Sequence, residues 1–264
     1  MPDYSLIDQP LLLNFLFYPR KDFQACPQNA FDSLVPVDDN VFISCRFYVG
    51  DKIWPWILFF HGNGEVVSDY DEIAPFYHQK KLNLVVADYR GYGASGGSPT
   101  FANLIKDAHS LFKAIKKELF KKGLGQELWI MGRSLGSISA LELAYHYSDK
   151  INGLIIESGF ASVVRLIRHL GLPSPGINLN QFEQECLDIV RRISIPALII
   201  HGQYDHLVPL QEARNLFEYL GTTQKQLVII PNADHNNIMF ADFAQYFETI
   251  QRFIRPLKLN DAFP

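Results

Sequence analysis

The sequence predicts an α/β protein: a mainly parallel sheet with an antiparallel N-terminal edge, helices on both faces and a small lid. Three observations predict it. Short apolar runs from the middle of the chain onward are continuous rather than alternating, as strands covered on both faces require. Segments of helical period separate them, and the run that precedes them alternates in part. No linker, repeat or low-complexity tract divides the 264 residues, so one domain, 1–264, is expected around a substantial core.

In chain order, LLLNFLFY near the N-terminus reads as a first β-strand. Asp3 and Asp8 precede it with no Lys or Arg, and it is far shorter than a membrane-spanning helix. VFISCRFYV (Val41 to Val49) alternates in part, which fits an antiparallel hairpin at the sheet edge. WILFF (Trp56 to Phe60), NLVVAD (Asn83 to Asp88), ELWIMG (Glu127 to Gly132), GLIIE (Gly153 to Glu157), ALIIH (Ala197 to His201) and QLVII (Gln226 to Ile230) are the buried-strand runs. From Phe101 to Lys122, Leu104, Ala108, Leu111, Phe112, Ile115 and Leu119 recur at helical spacing. The opposite side of that helix carries Lys106, Lys113, Lys116, Lys117, Lys121 and Lys122. It reads as a solvated face, with peripheral contact to an anionic membrane as the alternative. Gly159 to Arg192 holds no strand-like run and is longer than an ordinary βα connection, so a small lid is expected at about 159–192. Its Leu166, Leu170 and Leu172 either form an apolar wall over a ligand or only hold the lid together.

Composition excludes some classes. A formal net charge of −4 disfavours a nucleic-acid partner. Cys26, Cys45 and Cys186 are odd in number and in none of the pair spacings of zinc or redox sites, so they read as reduced, buried thiols. No metal, no cofactor and no integral membrane segment are expected, and the location read from these features is cytoplasmic.

The chemistry is carried by MGRSLGSISA (Met131 to Ala140). WIMG is a strand, GRSLG follows at once, and LGSISALELAYHY opens a helix. A strand, sharp turn and helix lift a serine hydroxyl above the sheet in a strained backbone conformation, while Gly132 and Gly136 let strand and helix pack closely. Ser134 is therefore the candidate nucleophile. A serine hydroxyl needs a positioned base, and a histidine oriented by a carboxylate is the usual one. His235 in PNADHNN follows the last strand run and is the candidate base. His61 and His201 precede glycines and read as turn-shaping residues, and His78, His109, His146 and His169 fall in helical patterns as surface or core residues. Asp205 in HGQYDHLVP is the candidate acid, with Glu157 as its rival, and Asp234 reads as a loop or cap residue. The developing oxyanion needs two backbone N–H groups, for which Leu135 and Asn63 of FFHGNGE are the candidates, with Gly64 next after Asn63.

With HGNG, DYRGYGASGGSPT (Asp88 to Thr100), GRSLG, HGQYDHLVP and DHNN in this order, the chain resembles the α/β-hydrolase superfamily from about Val41 to Arg255. It looks most like the small serine hydrolases of the abhydrolase-domain type, some of which cleave acyl esters or thioesters, including those of palmitoylated proteins. The resemblance implies Ser134 as nucleophile, Asp205 as acid, His235 as base, and Asn63 and Leu135 as oxyanion donors. A cysteine-rich N-terminal targeting segment, which the membrane-bound depalmitoylases use, is not seen. DYRGYGASGGSPT lacks the Lys-Ser/Thr ending of a phosphate loop; its glycines read as shaping the turn, with Arg90 as a structural anchor. The expected activity is metal-free hydrolysis of a carboxylic ester or thioester, the substrate a small molecule with an apolar acyl chain. A peptidase or amidase of the same fold, or a non-catalytic binding module, are the alternatives.

Overall fold

In WILFF, successive side chains serve two different cores. Trp56, Leu58 and Phe60 join one buried cluster, and Ile57 and Phe59 join another. Strands that must satisfy two apolar faces belong inside a sheet covered on both sides, and that is their place in the computed structural model, which describes residues 2–255. The strands are β1 (Ala30–Asp38), β2 (Val41–Tyr48), β3 (Trp56–Phe60), β4 (Asn83–Ala87), β5 (Leu128–Arg133), β6 (Gly153–Glu157), β7 (Ala197–Gly202) and β8 (Lys225–Ile230). They form one sheet in the order β1-β2-β4-β3-β5-β6-β7-β8. β2 runs antiparallel to both its neighbours, and every other pairing is parallel. The chain thus has the α/β-hydrolase architecture, with its antiparallel part at the N-terminal edge.

The helices are α1 (Pro10–Leu16), α2 (Ala74–Gln79), α3 (Phe101–Lys121), α4 (Ser137–His146), α5 (Val163–His169), α6 (Leu179–Arg192), α7 (Leu210–Tyr219), α8 (Ile238–Ala241) and α9 (Phe243–Ile254). α3, α4, α6 and α7 lie side by side on one face, and α2 and α9 pack on the other. Thr100 caps α3 by accepting from the Asn103 N–H, and the apolar stripe of that helix is buried from Leu104 to Leu119. Arg90 is the anchor its position suggested: its guanidinium grips Asp107 of α3 at 2.7 and 2.8 Å.

Two expectations are corrected. LLLNFLFY is not a strand: Pro10 to Leu16 form α1, and the first strand begins at Ala30. Pro10 occupies the first turn, where a missing N–H costs nothing, and Leu12 and Leu16, four apart, are the residues of the helix that are buried. Cys26 is half-buried rather than buried, whereas Cys45 and Cys186 are buried; all three are free. Burial raises all three thiols, Cys186 to about 11, which leaves them poor nucleophiles. Among the described residues, no helix is long and apolar enough to cross a membrane.

Candidate active site

β5 ends at Arg133, and the next residue, Ser134, has φ +50°. That left-handed conformation is disfavoured for a side chain with a Cβ and costs on the order of 1–3 kcal/mol, so the packing around it must enforce it. The two flanking glycines do so. A Cβ at Gly132 would collide with the carbonyl of Gly136, and one at Gly136 would collide with the carbonyl of Phe60. Strand β5, its neighbour β3 and the start of α4 therefore meet backbone to backbone. The Ser137 hydroxyl donates to the Ser134 carbonyl at 2.6 Å and braces the turn from the helix side.

His235 sits in the loop after β8. Its Nε2 lies 3.1 Å from Ser134 Oγ and its Nδ1 lies 2.7 Å from Asp205 Oδ2. Asp205 sits in the loop after β7, where its other oxygen accepts the N–H groups of Leu207 and Val208 at 3.1 and 2.7 Å. Burial pushes the Asp205 carboxyl up, but the His235 ring and the Val208 N–H outweigh it and hold it below the usual carboxylate range. Serine, histidine and aspartate, 101 and 30 residues apart in sequence, are all buried and joined in one hydrogen-bonded line.

The rival carboxylate has another task. Glu157 accepts from Arg133 Nε at 3.0 Å and from the Tyr246 hydroxyl at 2.5 Å, not from His235. Asp234 accepts the N–H groups of Asn236 and Asn237, which makes it the turn residue of the histidine loop. His201 shapes the turn after β7, donating from Nε2 to the Val208 carbonyl at 2.8 Å. Its Nδ1 is buried without a partner among the described residues, and burial lowers its proton affinity.

Arg133 is the functional residue that sequence reasoning missed. Its guanidinium donates to the His235 carbonyl at 2.7 Å, to Glu157 and, at 2.5 Å, to Glu65. Glu65 in turn accepts the Gly62 N–H and the Tyr70 hydroxyl, both at 2.7 Å. One buried side chain beneath the serine thus ties the histidine loop to the HGNG loop. Burial opposes the charge on Arg133, yet Glu65 and Glu157 more than restore it. Burial likewise pushes both carboxyls up. Arg133 and the hydrogen bonds outweigh it at Glu65, which ends below its ordinary value, but not at Glu157, which stays above. No spacing rule marks Arg133, because its partners are 24, 68 and 102 residues away.

Asn63, Ser134 and Leu135 line one cavity of about 300 Å³. The side chain of Asn63 is locked: Oδ1 accepts from the Tyr92 hydroxyl at 2.6 Å and the Tyr18 N–H at 2.9 Å, and Nδ2 donates to the Leu16 carbonyl. Apart from Tyr18, the rest of the wall is apolar. Leu166, Leu170 and Leu172 face it from α5 and the turn after it, Leu207 from the Asp205 loop, and Phe15 and Leu16 from α1. The three leucines of 159–192 therefore line the cavity, but α6, the second half of the segment expected as a lid, packs between α4 and α7 instead, and the N-terminal helix contributes a wall the sequence did not suggest. Pro10 and the Leu12/Leu16 spacing were the available signal. Among the described lining residues, none is acidic or basic.

Comparison with known proteins agrees with this architecture. A family model described as serine aminopeptidase, S33 (Hydrolase_4) matches residues 53–169 and 166–240. The uncharacterized protein YfhR of Escherichia coli is 27% identical over 230 residues, covering 84% of this chain and 80% of that one. Human alpha/beta hydrolase domain-containing protein 17B is 28% identical over 209 residues, 77% of this chain and 67% of its own. Among solved structures, the Pyrococcus furiosus esterase Pf2001 superposes with a TM-score of 0.73 at 18% identity, over 90% of this chain and 98% of that one. The chain belongs to the serine aminopeptidase S33 family of hydrolases, within the α/β-hydrolase superfamily.

Proposed function

We propose that the protein is a serine hydrolase that cleaves carboxylic esters or thioesters through an acyl-enzyme. The observation that carries this reading is the Asp205–His235–Ser134 line, which ends with its hydroxyl on an uncharged cavity. Ser134 Oγ attacks the substrate carbonyl carbon as its proton passes to His235 Nε2, and Asp205 holds the ring in the tautomer that can accept it. The oxyanion is stabilised by the backbone N–H groups of Leu135 and Asn63. Collapse of the tetrahedral adduct expels the alcohol or thiol, which takes the proton from His235. Water, deprotonated by the same ring, then releases the acid and frees Ser134.

The acyl chain lies against Leu166, Leu170, Leu172, Phe15 and Leu16, with α5 and its following turn acting as a lid. The family description favours a second reading, an aminopeptidase. Such an enzyme must hold a substrate ammonium group, and burying that charge without a carboxylate is costly. The cavity offers no acidic side chain among the described residues, which supports the ester reading. The similarly folded Pyrococcus furiosus protein Pf2001 is an esterase, which supports it too. Turnover of p-nitrophenyl esters of graded chain length, set beside aminoacyl p-nitroanilides, is the test. Ester cleavage that rises with the first added methylenes is expected; anilide cleavage with no ester cleavage would overturn the reading.

A further inference from the structure

Two histidines that read as surface or core residues in the sequence meet around one carboxylate, away from the serine. Glu142 and His146 lie one turn apart on α4, and His109 reaches them from α3, which packs alongside. Glu142 is only 4% exposed. Its Oε1 lies 2.8 Å from His146 Nε2 and 3.0 Å from His109 Nε2. Three donor atoms, one from each residue, all lie within 4.8 Å of one another. The histidine side chains are 25% and 28% exposed, so the trio is open to solvent on one side. Behind it, His109 Nδ1 lies 3.0 Å from the Tyr147 hydroxyl.

We propose that His109 Nε2, His146 Nε2 and Glu142 Oε1 form a binding site for a divalent transition-metal ion of the Zn²⁺ class, with water as the fourth ligand. Two imidazoles and one carboxylate are a donor set that selects such ions over Mg²⁺ or Ca²⁺, which favour oxygen. In a tetrahedral site with bonds of about 2.0–2.1 Å, neighbouring donors stand about 3.3 Å apart. The carboxylate–imidazole contacts therefore need to open by only a few tenths of an ångström. As hydrogen bonds, both contacts place an Nε2 proton toward Glu142. Metal binding uses the Nε2 lone pairs, so in a ligating neutral ring the proton sits on Nδ1 instead. For His109 that proton is donated to the Tyr147 hydroxyl, the kind of outer contact that fixes a ligating ring.

Glu142 lies five residues into α4, about 7.5 Å along its axis from Ser137 at 1.5 Å per residue, and the serine turn lies beyond that end, so the ion sits away from the acyl carbon. It clamps α3 to α4, the helix that opens at the serine turn. The site stands independently of the ester reading.

The test is calorimetric titration of chelator-treated full-length protein with Zn²⁺, paired with thermal unfolding at saturating Zn²⁺. One equivalent is expected to bind the wild type and raise its midpoint. His109→Ala and His146→Ala should each weaken binding at least about 100-fold, since even loss of an outer contact costs 10- to 100-fold, and should abolish the midpoint shift. His146→Gln, which keeps a donor toward Glu142 but offers no imidazole, should fail in the same way while folding and hydrolysing ester like the wild type. Equal Zn²⁺ binding by wild type and variants, or no uptake by the wild type at millimolar Zn²⁺, would overturn the proposal.

Discussion

Two buried histidine–aspartate pairs sit at the carboxyl ends of the parallel strands, and their chemistry diverges at the second ring nitrogen. After β7 and β8, His235 gives Nδ1 to Asp205 and leaves Nε2 3.1 Å from a serine hydroxyl. After β3 and β4, His61 Nε2 lies 3.2 Å from Asp88 Oδ1 and its Nδ1 lies 2.8 Å from the Gly62 carbonyl oxygen. Both nitrogens of His61 are engaged, Nδ1 with backbone and Nε2 with the Asp88 side chain, and Asp88 also accepts the Val67 N–H at 3.0 Å. Both pairs are buried. A carboxylate and an imidazole in contact are thus not a catalytic unit by themselves; the free nitrogen and what it faces decide. His61–Asp88 secures the HGNG turn, while Asp205–His235 is left with one nitrogen to use.

The largest expected effect separates the two pairs. Ser134→Ala or His235→Gln should lower kcat for a short-chain p-nitrophenyl ester by roughly 10⁴- to 10⁶-fold with the fold intact, as triad knockouts do elsewhere. Asp205→Asn should lower it about 10⁴-fold, because the ring loses the partner that fixes its tautomer. Steady-state kinetics on variants of matched circular dichroism check both.

Next is the link between the pairs. Arg133→Lys keeps the charge but loses the fork that holds His235, Glu65 and Glu157 together. A shift of the histidine loop by about an ångström costs on the order of 100-fold, so kcat should fall about 10- to 100-fold with little change in KM. An unchanged kcat would show that the Arg133 fork is not needed to place His235.

Legibility in the sequence divides along similar lines. The central strands are readable because each is apolar on both faces, and Ser134 is readable because strand, glycine and helix are local features. LLLNFLFY misleads because an apolar run that dense satisfies both periods, and only Pro10 and the Leu12/Leu16 spacing favour helix. The choice between Asp205 and Glu157 rests on which side chain reaches His235, which is set by the order of β6, β7 and β8 in the sheet rather than by either motif. Arg133 is illegible for the same reason, as is the placing of α1, though not its helical period, against the cavity: their partners are far away in sequence.

Smaller effects fall on stability. Asp88→Asn should cost about 1–3 kcal/mol by weakening a buried pair, lowering the thermal midpoint while kcat stays within a few-fold of wild type. If kcat instead collapsed as for Asp205→Asn, the contrast between the two pairs would fail. His201 gives the smallest signal. Burial lowers its folded-state value, so the stability from keeping it neutral is present above about pH 6.5, the ordinary histidine value. It is lost as pH falls toward the folded-state value, by at most about 1.4 kcal/mol per pH unit. His201→Gln, which keeps the donor to Val208, should flatten that part of the urea-unfolding profile.

The most direct measurement is the rate at which a fluorophosphonate probe labels the wild type, Ser134→Ala, His235→Gln and Asp88→Asn, read by intact mass. One adduct on the wild type, formed at a similar rate on Asp88→Asn, absent from Ser134→Ala and nearly absent from His235→Gln, is the predicted pattern. No adduct on folded wild type, or an adduct that survives in Ser134→Ala, would contradict the assignment of Ser134 as a nucleophile activated by His235.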